Sequence, residues 1–115
     1  MKRTRYKNQI AEQRGTTLEK DDNYTLTENN ILRDGNAFIK MEGAKTLTLP
    51  AASSALKGIT VLVFGDDASS QVAVAAGFGG GGASYDTVTI GAYNSSKFWC
   101  DGTYWYALNL AVAAA

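Results

Sequence analysis

The chain has 115 residues, which is the size of a single domain with one hydrophobic core. It contains no histidine and one cysteine, Cys100, so it lacks the commonest general base and metal ligand and cannot form an intrachain disulfide. These absences argue against most hydrolase chemistry and against transition-metal sites, and we expect neither enzymatic activity nor a cofactor. The formal net charge is zero, yet residues 1–14 carry five basic side chains against one acidic one, which leaves −4 on the remainder.

Residues 1–22 are predicted to form an extended basic arm, because they show neither strand nor helix periodicity. A short helix over residues 7–14, ended by Gly15, is an alternative. Such an arm suits an acidic protein surface, nucleic acid or the acidic body of a neighbouring copy, or it is simply solvated. The candidate binding residues of the arm are Lys2, Arg3, Arg5, Tyr6, Lys7 and Arg14. No apolar stretch marks an export signal or a membrane span, so we expect synthesis in the cytoplasm.

Residues 23–115 are predicted to form one β-domain. In chain order, the candidate strands are residues 24–27, a hairpin of 31–33 and 37–41 across Asp34-Gly35, 45–49, 59–64, 71–75, 85–90, and a final hairpin of 97–100 and 103–110 across Asp101-Gly102. Residues 59–64 form a continuous, β-branched run, which is typical of a central strand. Eight or nine short strands with turns every 8–12 residues predict an all-β fold, a small antiparallel β-sandwich or a barrel-like module.

Two short segments resemble ligand-binding loops but fit other roles better. The glycines at positions 79–82 lack the lysine and the following helix of a phosphate-binding loop, so a flexible or close-packed loop is expected. Phe78 beside them is expected to be a core residue or a contact between subunits. Asp66 and Asp67 are two adjacent carboxylates, which are more typical of a turn than of a calcium loop. Cys100 has no catalytic partner and is interpreted as a structural thiol.

The last hairpin is dense in aromatic residues. A two-residue turn at Asp101-Gly102 would place Trp99 near Tyr104, and alternation would direct Trp105 opposite to Tyr104 and Tyr106. One interpretation is a stacking platform for sugars or bases, formed by Trp99, Tyr104 and Trp105. The other is a core tryptophan with cross-strand aromatic packing, which leaves Tyr104 and Tyr106 as subunit-interface candidates. The net negative charge of the strand region, −4 over the residues after residue 14, argues against binding of nucleic acid.

The order of these motifs resembles a β-module of bacteriophage virion proteins, which occurs in tail fibres, tail spikes and head-decoration proteins. The motifs are Tyr24-Thr25-Leu26-Thr27, residues 46–52 (TLTLPAA), the strand after Gly58, the glycine-rich segment 77–82 and residues 101–106 (DGTYWY). The resemblance covers residues 24–110 and implies a stable β-fold that often assembles as a trimer on the virus surface.

The short arm before a single module favours a capsid-decoration, or cement, protein over a fibre. The resemblance then implies a homotrimer on the outer capsid surface of the virion, with the major capsid protein as its partner and no nucleic acid or membrane involved. The alternative is a receptor-binding or glycan-binding module of the tail-fibre type.

Overall fold

The computed structural model describes residues 16–108, and the prediction that this part of the chain is rich in β-sheet is confirmed. The strands are β1 (Thr16–Lys20), β2 (Tyr24–Thr25), β3 (Asn36–Met41), β4 (Thr46–Thr48), β5 (Thr60–Gly65), β6 (Gln71–Ala73), β7 (Thr87–Thr89), β8 (Asn94–Cys100) and β9 (Trp105–Ala107). The helices are α1 (Glu28–Leu32) and three 3₁₀ helices at Ser54–Leu56, Phe78–Gly80 and Gly82–Tyr85.

The strands form two sheets. Sheet A has the order β1-β3-β5-β8-β9, and sheet B has the order β2-β4-β6-β7. The first six strands alternate between the two sheets along the chain. Each of them runs in the same direction as the preceding strand of its own sheet. Neighbours among these six are therefore parallel, and only the pairs β5–β8, β6–β7 and β8–β9 are antiparallel.

The predicted antiparallel arrangement is thus wrong for four of the seven strand pairs. Parallel neighbours need a long connection, and here each such connection includes a strand of the other sheet. The central position predicted for residues 59–64 is confirmed, because β5 lies between β3 and β8 in sheet A.

A single cluster of buried apolar side chains joins the two sheets. Alternation along each strand directs every second side chain into this cluster. Sheet A contributes Ile39, Met41, Val61, Val63, Phe98, Cys100 and Trp105, and sheet B contributes Leu47, Val72 and Val88. Trp105 and Phe98 are the largest fully buried side chains, so the C-terminal strands carry much of the core volume.

The segment after β2 forms a helix where a hairpin was predicted. Thr27 caps α1: its Oγ1 accepts a hydrogen bond from the Asn30 N–H at 3.1 Å, and Asn30 Oδ1 accepts one from the Thr27 N–H at 2.9 Å. This reciprocal capping satisfies two donors at the helix start, and Ile31 anchors the helix to the core. Asp34-Gly35 therefore follows a helix, and the predicted hairpin partner of residues 37–41 does not exist as a strand.

The predicted arm extends too far into the chain. Residues 16–20 are extended, as expected, but they form β1 and pair with β3 along its length. Residues 16–20 therefore belong to the β-rich body, which was predicted to begin at residue 23. Lys2, Arg3, Arg5, Tyr6, Lys7 and Arg14 lie outside the described residues.

Candidate functional site

The outward-facing side chains of sheet B are mostly threonines. One row across the strands is Thr25, Thr48, Ala73 and Thr87, and the next is Thr46, Gln71 and Thr89. Their hydroxyl and amide groups hydrogen-bond readily with water. This side of the molecule therefore needs no partner to cover it.

The outward-facing side of sheet A carries five apolar or aromatic side chains among polar ones such as Lys40, Thr60 and Lys97. The strand register places Phe38 beside Leu62 and Trp99 beside Tyr106. We call this surface the outer face; its apolar residues are Phe38, Leu62, Phe64, Trp99 and Tyr106. Phe38 and Trp99 are each 37% exposed, which is high for side chains of this size.

A shallow groove of about 260 Å³ crosses the outer face. It is lined by Thr17, Phe38, Ile39, Lys40, Leu62 and Phe64. The ammonium group of Lys40 lies at its border, 3.9 Å from a Glu19 carboxylate oxygen and 3.8 Å from one of Glu42. An apolar surface bordered by charged residues is typical of a protein-interaction site.

The final hairpin extends the outer face, but its turn lies one residue later than predicted. The backbone N–H of Asp101 donates to the Tyr104 carbonyl at 3.1 Å, so Gly102 and Thr103 are the two turn residues. Moving a turn by one residue moves the strand register by two. Trp99 therefore pairs with Tyr106 rather than with Tyr104, with ring centroids 5.6 Å apart and an interplanar angle of 33°.

Asp101 fixes the geometry of this turn. Its Oδ1 accepts hydrogen bonds from the backbone N–H groups of Thr103 and Tyr104, both at 2.8 Å, and its Oδ2 accepts one from the Tyr106 hydroxyl at 2.9 Å. The backbone donors of Tyr104 and Thr103, with the Tyr106 hydroxyl, stabilise the carboxylate and lower the pKa of Asp101. The same carboxylate raises the pKa of Tyr106, because ionised Tyr106 could no longer donate to it. Tyr106 is thereby held against Trp99.

The glycine-rich segment packs closely against its own chain. Gly77 has φ +82°, and a side chain there would lie 2.3 Å from the backbone nitrogen of Gly82. A side chain on Gly80 would lie 2.9 Å from the ring of Tyr104, and one on Gly79 would lie 3.5 Å from the ring of Tyr106. The loop therefore supports the two tyrosines of the hairpin. Of the two roles expected for this loop, close packing is the one observed.

Two of the predicted site residues are buried and unavailable to a partner. Phe78 is 7% exposed and packs on Phe98 with ring centroids 5.7 Å apart, so it is a core residue and not a subunit contact. Trp105 is fully buried, and its indole N–H donates to the Pro50 carbonyl at 2.8 Å. It cannot belong to an exposed glycan platform. Trp99 and Tyr104, each 37% exposed, are the accessible members of that predicted trio.

The paired aspartates take part in a turn. Asp66 Oδ1 accepts a hydrogen bond from the Gly43 N–H at 2.7 Å, which ties the β5–β6 turn to the β3–β4 turn. Asp67 Oδ1 accepts one from the Ser69 N–H at 2.9 Å. Residues 16–108 contain no group of three or more metal-ligating side chains. Cys100 is buried in the core, where its sulfur accepts a hydrogen bond from the Gly102 N–H at 3.4 Å.

Sequence reasoning missed three residues of the outer face, namely Phe38, Leu62 and Phe64. The continuous β-branched run of residues 59–64 was interpreted as a central strand, which gave no reason to expect an uncovered outward face. In the described part of the chain only the inward face is covered; among the outward residues of β5, Thr60 is exposed and Leu62 and Phe64 are half-buried. β5 carries apolar residues on both of its faces, and a sheet in a two-sheet fold has only one covered face. These two facts together would have identified the outward apolar residues as a candidate site.

Comparison of the chain with protein-family models, with curated proteins and with solved structures found no match to any of them. Among the described residues, none of the helices has both the length and the apolar character that crossing a membrane requires.

Proposed function

We propose that this chain is a structural protein of a bacteriophage virion, a capsid-decoration protein that assembles as a homotrimer on the outer capsid surface. The observation that carries the proposal is the contrast between the two sheets: the outward side of sheet B is mostly threonine, whereas the outward side of sheet A leaves five aromatic or aliphatic side chains exposed or half-buried among polar ones. A body with one interactive and one water-compatible side is suited to assembly. The sequence motifs shared with virion β-modules supply the biological setting.

The two motifs that carry the resemblance belong to one structural unit. Pro50 ends the TLTLP segment, and its carbonyl accepts the indole N–H of Trp105 from the DGTYWY segment. Asp101 of the second segment closes the turn that brings Trp105 into place. The motifs therefore mark a framework, and the binding surfaces are proposed to lie outside it.

The proposed mechanism combines two weak contacts. The outer faces of neighbouring copies associate and bury Phe38, Leu62 and Trp99. The basic arm (residues 1–14, net charge +4) then binds acidic groups of the major capsid protein. Once one arm of a trimer has bound, the effective concentration of the other two is raised, so weak individual contacts give stable decoration. No catalytic step and no cofactor form part of this proposal.

Light scattering of the purified full-length chain tests the assembly. We expect the mass of a trimer, and we expect Phe38→Ser and Leu62→Ser together to lower it to that of a monomer. Thr46→Ser and Thr89→Ser on sheet B are the matched control and should leave the mass unchanged. A wild-type monomer at micromolar concentration would refute the assembly.

Co-sedimentation with capsids tests the arm separately. A chain lacking residues 2–14 should keep its β-sheet circular dichroism and its oligomeric mass but should no longer sediment with capsids. Because the arm variant and the outer-face variant are measured by different readouts, failure of one contact is distinguishable from failure of the other. Undiminished decoration by the truncated chain would remove the arm from the mechanism.

A glycan-binding module is the second candidate, because the exposed Trp99 and the half-buried Tyr106 form an aromatic pair beside the carboxylate of Asp101. Sugar rings stack on such pairs, and carboxylates accept hydrogen bonds from sugar hydroxyls. A glycan array separates the candidates. Binding that is lost in Trp99→Ala and retained in Tyr93→Ala would favour this module, and an array without hits would exclude the glycans it carries.

A further inference from the structure

We infer that neighbouring copies meet through two different patches of the outer face: the groove of one copy receives Trp99 and Tyr106 of the next. This contact rests on the proposed function, because the occupant of the groove is a second copy of the chain. The evidence for it is the shape of the two patches, the rigidity of the aromatic pair and the charges beside each patch.

The two patches differ in shape and lie on opposite halves of the outer face. The groove lies over β1, β3 and β5, among Phe38, Leu62 and Phe64. Trp99 and Tyr106 lie on β8 and β9, towards the other edge of sheet A. The groove, at about 260 Å³, is smaller than the pockets of roughly 300–1,000 Å³ that take drug-sized ligands. Its size therefore suits one or two side chains of a protein partner.

The aromatic pair is already ordered without a partner. The Tyr106 hydroxyl donates to Asp101 Oδ2 at 2.9 Å, and the Tyr106 ring lies 5.6 Å from that of Trp99. Side chains that are fixed in advance lose little conformational entropy on binding. Tryptophan and tyrosine are also the residues that most often anchor protein interfaces. The pair is therefore suited to enter an apolar groove.

The charges beside the two patches are opposite. At the border of the groove, Glu19 and Glu42 share the ammonium group of Lys40, at 3.9 and 3.8 Å, which leaves a net charge of −1. Two positions before Trp99 along β8, Lys97 is exposed, and none of the ion pairs among the described residues includes it. When Trp99 of one copy enters the groove of the next, Lys97 approaches the carboxylates at the border.

The same charges disfavour contact between like patches. Two aromatic pairs that met would bring Lys97 against Lys97, and two grooves would bring Glu19 against Glu19. Within one copy, the strand partners Lys97–Leu62, Leu62–Phe38 and Phe38–Thr17 set β8 and β1 three strands apart, which is about 14 Å. An ion pair between Lys97 and Glu19 is therefore expected between copies rather than within one.

Contact between unlike patches is also what a ring of three copies requires. In such a ring, each copy uses one surface towards the copy before it and a different surface towards the copy after it. Because the groove and the aromatic pair lie on opposite halves of sheet A, one copy can use both at the same time.

Cross-linking between added cysteines tests the contact. Glu19→Cys places a thiol beside the groove and Lys97→Cys places one beside the aromatic pair, whereas the natural Cys100 is buried. When the two variants are co-expressed and treated with a short bismaleimide, they should form a covalent dimer, and neither variant should do so by itself. A chain with both changes should be linked up to the trimer. Co-expressed Glu19→Cys and Thr89→Cys, with the second thiol on sheet B, are the matched control and should stay unlinked.

The cross-links and the mass of the wild type separate this contact from the proposed trimer. If light scattering gives a trimer but either variant links to itself, or the chain with both changes stays unlinked, the contact between unlike patches is refuted and the trimer stands. If the wild type is a dimer that shows the expected cross-links, the contact is supported and the trimer is refuted.

Exchange of the two charges gives an independent readout. Lys97→Glu would face Glu19 and Glu42 of the neighbour, and should raise the dissociation constant of the assembly by at least about tenfold. Addition of Glu19→Lys should return the constant to within about threefold of the wild type, because the charges again oppose each other. Arg33→Glu, a charge reversal on α1, is the matched control and should leave it unchanged. A second change that restores no affinity would contradict the pairing of Lys97 with Glu19.

Discussion

The indole N–H of Trp105 donates to the carbonyl oxygen of Pro50 at 2.8 Å, across 55 residues of sequence. Pro50 lies beyond the end of β4 (Thr46–Thr48), outside the strand ladder, and there its carbonyl accepts this distant donor. Trp105 is fully buried and lies on the edge strand β9, so the bond ties that edge to the connection between β4 and β5. The last strand of sheet A is thereby fixed to the first half of the chain.

This bond predicts that the two tryptophans respond differently to the same substitution. Trp105→Phe leaves a gap in the core and a carbonyl without its donor, and should lower the free energy of unfolding by about 2–4 kcal/mol. Trp99→Phe, at a 37% exposed position, should lower it by less than about 1 kcal/mol. Urea unfolding followed by circular dichroism gives both values. Equal losses would show that the Pro50 contact contributes nothing to stability.

The lowered pKa of Asp101 predicts that the turn of the final hairpin is sensitive to acid. Its pKa is lowered in the folded chain, mainly by the N–H donors of Tyr104 and Thr103, so its contribution to stability is present above the ordinary pKa of 3.8 and is lost as pH falls through the lower folded value. Asp101→Asn should therefore be less stable than the wild type at pH 6, with the difference shrinking below pH 3.8. Thermal melts across this range measure it, and Asp86→Asn is the control. A difference that does not change with pH would contradict the role of the charge.

The raised pKa of Tyr106 predicts that stability also falls at high pH. Its pKa is raised by the hydrogen bond to Asp101, so its contribution is complete below the ordinary pKa of 10.0 and is lost as pH rises through the higher folded value. Tyr106→Phe should be less stable than the wild type at pH 8, and the two should converge above pH 10. Tyr93→Phe, at an 80% exposed ring, should follow the wild type throughout. In ultraviolet titrations, the wild type should show a tyrosine that ionises above the ordinary pKa of 10.0, and the Tyr106→Phe variant should lack it.

Strand positions could be predicted from the sequence because alternation and β-branched residues act locally. The segments around β4, β5 and the β8–β9 hairpin were identified by that pattern, as was the orientation of Trp105 opposite to Tyr104 and Tyr106, although a shared platform of Trp105 with Trp99 and Tyr104 was wrong. Partners could not be predicted in the same way. The residue paired with Trp99 depends on whether Asp101 is one of the two turn residues or the last strand residue before the turn. The Asp101 side chain favours the second arrangement, because it accepts hydrogen bonds from the backbone N–H groups of Thr103 and Tyr104.

Parallel pairing was missed for a related reason. Asp34-Gly35 is a strong hairpin motif, but the four residues from Thr27 to Asn30 form a reciprocal cap that starts a helix before it. The connection then spans too great a distance for a hairpin, and β3 aligns with β1 instead. The outer face follows from that topology. Phe38 and Leu62 become neighbours only because β3 and β5 are adjacent, which no local pattern reveals.

The glycine-rich loop predicts a contrast between two glycines with nearly the same backbone conformation. Gly58 has φ +83° with nothing within 4 Å of a would-be side chain, whereas Gly77 has φ +82° with the Gly82 backbone nitrogen at 2.3 Å. Gly58→Ala should lower the free energy of unfolding by about 1 kcal/mol, which is the cost of a left-handed conformation in alanine. Gly77→Ala adds a collision with the backbone, which cannot be relieved by rotating a side chain, and should cost at least about 2 kcal/mol more. Urea unfolding of both variants measures the difference.

Since Gly77 begins the loop beneath Tyr104 and Tyr106, its substitution should also change the near-ultraviolet circular dichroism of the aromatic hairpin, and Gly58→Ala should not. If Gly58→Ala and Gly77→Ala lower the free energy of unfolding equally and leave the circular dichroism of the hairpin unchanged, the glycine-rich loop does not support Tyr104 and Tyr106.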